Sequence, residues 1–241
     1  MSTIAAVGMS DTGRVRLNNE DNWHIEPDLR VAIVADGMGG AACGEVASEL
    51  SVKTVLSYLR EPPEPMPDDQ LVREAVRAAN AQVWQAAGRR PDCNGMGSTI
   101  VMGIWQPPEL VIANVGDSRA YLWRGGVLTQ LSYDQNLANE LRRNLGLSED
   151  QISQYPHRNV LTMAIGTSED VLVCVKSLAL EDGDEILLCS DGLYGPVGDD
   201  NIAGVMASRA ASMEKVQRLI ADANARGGPD NITVVLMSYQ S

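Results

Sequence analysis

Apolar residues recur along this chain with two different periods. Val52, Val55, Leu56 and Leu59 fall at i, i+3, i+4 and i+7, and Val72, Ala75, Val76, Ala79 and Val83 repeat that spacing one turn longer. Each set makes one apolar face of an amphipathic helix. Between them, Glu61 to Asp69 reads EPPEPMPDD, and its prolines forbid a continuous helix and mark a surface connection. A third helix is expected over about 211–225, with Met213, Val216, Ile220 and Ala223 inward, and a fourth around 136–145.

The strand signals are more numerous. They fall at Ile4–Met9, Val31–Ala35, Thr99–Ile104, Leu110–Val115, Ala120–Trp123, Val171–Leu178, Glu185–Cys189 and Ile232–Met237. These runs are short, rich in Val and Ile, and bounded by Gly, Pro, Asn or Asp. Helices come in adjacent pairs and strands come in runs, which is not the alternation of a parallel α/β fold. The pattern predicts an α+β fold, with helices layered on mostly antiparallel sheets. There is no repeat or long linker, so residues 1–241 are read as a single domain.

Charge and composition narrow the functions. The net charge is −13, so a phosphate backbone or an anionic membrane surface would meet no basic face, and nucleic acid and membranes are not expected as partners. No apolar run approaches the ~18–20 residues of a membrane span, and the first ten residues do not resemble an export signal. A cytoplasmic monomer is expected. Cys43, Cys93, Cys174 and Cys189 form no Cys-x-x-Cys pair, and in that compartment they are expected to be reduced thiols.

The aspartates carry the chemistry. VAIVADG places Asp36 directly after an apolar strand, VIANVGDS places Asp117 after another, and EILLCSDG places Asp191 after a third. GGPDNITVV places Asp230 just before a fourth. Any one Asp-Gly is ordinary turn chemistry. Four acids at the ends of buried strands converge at one sheet edge, where two carboxylates ~4 Å apart repel by ~4 kcal/mol at an effective dielectric near 20. Hard divalent cations relieve that repulsion, and all-oxygen donors suit Mg²⁺ or Mn²⁺. The Gly37 carbonyl could approach such an ion unobstructed. Two ions can activate water against a phosphate ester, with an Arg holding the phosphate. Arg14, Arg16 and Arg119 are the candidates near acidic motifs. GMGG at 37–40 suits anions, but no ATP-binding P-loop is present.

In order along the chain, TGRVRLNNED (12–21), VADGMGG (34–40), GEVAS (44–48), MGSTIV (96–101), NVGDSRAYLWRGG (114–126), RNVLTMAIGT (158–167), CSDGL (189–193) and GGPDNITVV (227–235) form a specific set. This set resembles the type 2C (PPM) metal-dependent serine/threonine protein phosphatases in their bacterial single-domain form. The resemblance implies a four-layer α-β-β-α sandwich, two antiparallel sheets flanked by helix pairs. It implies hydrolysis of phosphoserine and phosphothreonine in proteins, using two Mg²⁺ or Mn²⁺ ions and a weaker third. Asp36 would bridge two ions, with the Gly37 carbonyl on one of them. Asp191 and Asp230 would complete the other, Glu20 would reach it through water, and Asp117 with Asp191 would hold the third. Arg16, four residues before Glu20, would bind the substrate phosphate, ahead of Arg14. Phosphorylated proteins, a Ser/Thr kinase and that kinase's targets are the implied partners.

The chain departs from that pattern in places. Met38 stands where eukaryotic relatives carry a His thought to be the general acid, and Met has no proton to donate; the leaving-group proton would then come from metal-bound water. Asp134-Gln135-Asn136 replaces Asp-His-Ser, Met163 replaces an Arg, and Cys43 replaces a Gly. The segment of about 132–157 corresponds to a mobile flap that bears on substrate choice. Asp21 and Arg119 are read as orienting or ion-pairing groups, and Asn231 as a turn residue beside the metal. The competing readings are a catalytically weak phosphoprotein-binding module and a small-metabolite phosphatase.

Overall fold

The computed structural model describes residues 3–39 and 43–241. Gly40, the last residue of the GMGG run, lies outside them. The chain runs β1 (Thr3–Asp11), β2 (Asp21–Glu26), β3 (Val31–Met38), α1 (Cys43–Arg60), α2 (Asp68–Arg89), β4 (Gly97–Ser98), β5 (Ile100–Gln106) and β6 (Glu109–Val115). It continues with β7 (Arg119–Arg124), β8 (Val127–Gln130), α3 (Leu137–Leu145), α4 (Glu149–Ser153), β9 (Cys174–Ala179), β10 (Glu185–Cys189), α5 (Asp191–Val197), α6 (Asp199–Met206), α7 (Ser212–Ala225) and β11 (Ile232–Gln240).

Two antiparallel sheets result. One has the order β1-β11-β10-β7-β8, the other β2-β3-β5-β6-β9. Strand periodicity sorts the core into three layers. Val31, Ile33 and Ala35 of β3 face α1 and α2. The alternate residues Ala32 and Val34 face Ile186, Leu188, Val235 and Met237 of the opposing sheet. On the far side, Leu187 and Cys189 of β10 pack with Val205, Leu219 and Ile220 of the α6 and α7 helices. Both faces of the central strands are therefore covered, which is why they read as unbroken apolar runs. The α+β sandwich expected from the sequence is the architecture observed. Among the described residues no helix is long and apolar enough to cross a membrane.

The differences are local. Strand β9 begins at Cys174, three residues late, and β2, β4 and β8 lacked a sufficient apolar signal. In α7, Val216, Ile220 and Ala223 are buried, but Met213 faces solvent, and Lys215 is buried in its place, with its Nζ 2.6 Å from Glu185. The expectation of four reduced thiols is corrected. Cys43 and Cys93 are joined in a disulfide, while Cys174 and Cys189 are free. The αα-hairpin returns the chain past the start of α1, so residues 50 apart in sequence come within 5.5 Å at Cα. Spacing along the chain carries no trace of that approach.

Candidate active site

The four strand-end aspartates meet at one edge of the sandwich, and the ladder registers place them there. In the second sheet, β3 and β6 both pair antiparallel with β5, so the end of β3 (Asp36) and the turn after β6 (Asp117) lie on the same side. In the first sheet, the end of β10 (Asp191) lies beside the start of β11 (Asp230), because Cys189 pairs with Val234. Arg16, Glu20, Asp36 and Gly37 line one cavity of about 610 Å³. Asp117, Asp191 and Asp230 line the same cavity. Arg14, the second arginine candidate, is not among its walls.

Asp36 and Glu20 are held through their backbones. The Asp36 N–H donates to Thr99 Oγ1 at 3.0 Å, and its carbonyl accepts from the Thr99 N–H at 2.8 Å and from Ser98 Oγ at 3.0 Å. The Glu20 N–H donates to Asn231 Oδ1 at 2.8 Å, and the Asn231 amide donates to the carbonyls of Thr12 and Asn18 at 2.9 Å. Asn231 thus ties the Glu20 loop to the start of β11, beside the acids. A Cβ on Gly37 would fall 2.1 Å from the Gly44 carbonyl oxygen, so only glycine fits between β3 and α1 there.

Asp21 pairs across from Asp36 in the β2–β3 ladder. It orients neither backbone nor basic groups. Its Oδ2 accepts from Ser190 Oγ at 2.7 Å and Thr233 Oγ1 at 2.6 Å, deep between the sheets. Arg119 is an ion-pairing residue: its Nε and Nη2 donate to Asp134, the shortest contact being 2.7 Å, and its guanidinium stacks 3.7 Å from the Tyr194 ring centre.

The electrostatics are those of crowded acids. Burial, then the charges of Asp21, Asp191 and Asp230, hold the Asp36 carboxyl well above the usual carboxylate range. Burial pushes Asp117 up to about 7, aided by Asp191, and Asp191 up to about 6, aided by Asp230. Burial also pushes Asp21 up to about 7, against its two hydroxyl donors. Asp191 Oδ1 is buried without any hydrogen-bond partner. Among the described residues, no three of these carboxylates bring ligating oxygens within 4.8 Å of one another. The set is therefore wider than one cation's shell. A buried orphan oxygen, mutually repelling acids and an all-oxygen donor set fit hard divalent cations spread over more than one position.

Two groups escaped the sequence reading. Thr99 clamps Asp36 and also bonds Ser118 Oγ at 2.6 Å, but a lone Thr in an apolar strand carries no signal of its own. The Tyr194 hydroxyl donates to the Asp117 carbonyl at 3.0 Å. The unusual Asp134-Gln135-Asn136 run is buried and structural. Gln135 Oε1 accepts from the Gly116 N–H at 2.8 Å, and the Asn136 amide donates to Asp117 Oδ2 at 3.3 Å.

An antiparallel sandwich with this acidic rim defines a class of metal-dependent hydrolases, and similarity to known proteins narrows it. The profile of the protein phosphatase 2C family matches residues 12–232. The chain belongs to the protein phosphatase 2C family, whose members are metal-dependent serine/threonine protein phosphatases. It is 36% identical to the Listeria monocytogenes serine/threonine phosphatase stp over 234 residues, 95% of this chain and 93% of that one. It is 36% identical to the Mycobacterium tuberculosis serine/threonine protein phosphatase PstP over 94% of this chain, which spans 43% of that longer protein. The catalytic domain of PstP, solved in complex with two manganese ions, superposes with a TM-score of 0.88 at 33% identity, covering 100% of both chains.

Proposed function

We propose that this protein hydrolyses phosphoserine and phosphothreonine esters in phosphorylated proteins, as a single catalytic unit with residues 132–157 as its flap. The observation that carries this reading is the convergence of Asp36, Asp191 and Asp230 with Arg16 in one open cavity. Asp36, the Gly37 carbonyl, Asp191 and Asp230 would hold two Mg²⁺ or Mn²⁺ ions, with Glu20 reaching them through water and Asp117 with Asp191 serving a weaker third. When bound, such ions supply an activated water at neutral pH and Lewis acidity toward a phosphoryl oxygen.

The chain's own residues then bind and orient the ester. Asp230 holds Arg16 Nη2 at 2.8 Å and keeps the guanidinium charged. This uses one of the five N–H donors of an arginine and leaves the rest of the fork for a phosphate. The Arg16 side chain is 52% exposed, so substrate reaches it from solvent. Thr99 fixes the backbone of Asp36, so the carboxylate is placed before substrate arrives. Met38 lines the cavity and offers no proton, and no histidine is among its described walls, which fits a leaving alkoxide that takes its proton from water. A Ser/Thr kinase and its targets are the natural partners of this chemistry.

The test is phosphate release from para-nitrophenyl phosphate and from a phosphothreonine peptide, with Mn²⁺, Mg²⁺ or EDTA, beside Asp191→Ala. Release that needs metal and is lost in the variant is expected. A folded wild type that releases nothing with either metal would leave only a binding module. Turnover of sugar phosphates or nucleotides above peptides would make it a metabolite phosphatase.

A further inference from the structure

The acidic cavity has an apolar lip that the hydrolysis itself does not use. Leu17 is 98% exposed and Val15 66% exposed, on either side of Arg16. Both line the same cavity as the carboxylates.

A loose loop would expose such residues without meaning, but this loop is stapled. The Gly13 N–H donates to Asp11 Oδ1 at 2.8 Å, and the Arg14 N–H donates to the Gly228 carbonyl at 2.8 Å. Asn231 binds the carbonyls of Thr12 and Asn18 at 2.9 Å, and the Asn19 amide donates to Ser10 Oγ at 2.8 Å. Gly13 sits at φ +79°, and a Cβ there would fall 2.2 Å from the Asp230 carbonyl oxygen. Both ends of the 13–19 turn are thereby fixed to the β11 side of the site. Val15 and Leu17 stand in water on a short turn that is pinned at both ends. Exposed apolar groups continuous with a binding cavity mark a contact made with the ligand.

The ligand's chemistry follows from the rest of the wall. Among the described residues Arg16 is the one cation lining the cavity, against Glu20, Asp36, Asp117, Asp191 and Asp230. Once the phosphate takes Arg16, an acidic neighbour on the substrate meets acids, apolar surface and the neutral Asn18 and Asn159, with no second cation among the described lining residues. An extended peptide advances about 3.3 Å per residue, so side chains within two positions of the phosphoresidue lie over the residues flanking Arg16. We propose that Val15 and Leu17 form a specificity lip that selects phosphoprotein segments carrying an apolar side chain within two positions of the phosphoresidue. This rests on the reading of the cavity as the phosphate-ester site.

The experiment compares kcat/KM on phosphothreonine peptides bearing Leu, Ala, Lys or Asp at each position from −2 to +2, with para-nitrophenyl phosphate as a substrate that has no flanking residues. At one or more positions Leu should exceed Ala by about fivefold, the scale of partial burial of one side chain, and Asp should fall lowest. The double variant Val15→Ser/Leu17→Ser should bring the Leu-to-Ala ratio to one. Val127→Ser, an exposed site on the β7–β8 hairpin at 61%, should leave that ratio as it is. Equal rates for Leu and Ala, a Leu preference that survives the double variant, or a preference for Lys alone that vanishes with salt would each overturn the lip while leaving the phosphatase reading intact. No release from any substrate, para-nitrophenyl phosphate included, would remove the phosphatase reading and the lip with it.

Discussion

The carboxylate rim and the 132–157 segment, the flap of our proposal, sit side by side, yet they are built on opposite terms. The rim acids hang from strands whose two faces are buried, and their backbones are tied into ladders and hydroxyl clamps. In the flap, α3 buries none of its residues, and Leu145 (64%) and Tyr155 (41%) stand exposed. Ile152 of α4 is buried, but the firm attachments are polar and come at the base. There Asp134, Gln135 and Asn136 bind Arg119, the Gly116 N–H and Asp117. A few polar anchors beneath exposed helices give low local stability, and register within a packed sheet gives high local stability. The rim is suited to hold a fixed geometry, and the 132–157 segment, if it serves as the proposed flap, to adjust.

The largest test of the rim is Asp36→Asn, which removes the acid shared by the proposed ligand sets. Turnover should fall by roughly 10³-fold or more, several kcal/mol of transition-state stabilisation. The same change should relieve the metal-free protein. Native carboxyls pushed up to about 6 or 7 at Asp191, Asp117 and Asp21 still bind protons that their unfolded counterparts have released. Metal-free stability from these groups therefore falls as pH rises from about 4 to about 7. In EDTA, melting curves at pH 5 and pH 8 should show wild type losing more than Asp36→Asn across that interval. A wild type that loses no more than the variant would mean that the fold does not hold the Asp36 carboxyl above the usual carboxylate range.

How far this contrast could be read in advance depends on what fixes each part. The rim was legible because strand ends are marked by apolar runs followed by Asp-Gly, and the registers do the rest. Asp36, Asp117, Asp191 and Asp230 were all singled out, and the structure brings them to one cavity. The periods of α1 and α2 likewise transferred directly to burial. What stayed hidden depends on contacts distant in sequence. Thr99 matters only because β5 lies beside β3, Tyr194 only because α5 folds over Asp117, and Lys215 is buried only because Glu185 waits for it. The Cys43–Cys93 bond belongs to the same group: two thiols 50 residues apart are brought together by a hairpin that no local pattern describes.

That disulfide sharpens the contrast, because it staples the rim's side of the molecule and not the flap's. It ties the start of α1 to the turn before β4, whose Gly97 and Ser98 pair with Met38 and Gly37. In a chain-entropy account, a separation of 50 residues corresponds to about 4 kcal/mol. Cys93→Ser should lower the denaturation midpoint accordingly, and dithiothreitol should lower wild type toward the variant. A variant as stable as wild type would show that packing alone holds the rim.

The smallest effect belongs to the flap and tests whether it is a separate unit. Asn136 caps α3, its Oδ1 accepting from the Asn139 N–H at 3.1 Å, while its amide reaches Asp117. Removing such a cap costs about 1 kcal/mol, or about fivefold in a local opening equilibrium. In Asn136→Ala, amide exchange should therefore quicken about fivefold from α3 through α4. In wild type the α3 and α4 amides should already exchange faster than those of β3, β10 and β11, the mark of a segment that opens by itself. If α3, α4 and the strands exchange through one common opening, the two regions unfold together. The Asn136–Asp117 contact would then be a strut of the rim, and the division drawn between fixed chemistry and adjustable cover would fail at the residue where the two meet.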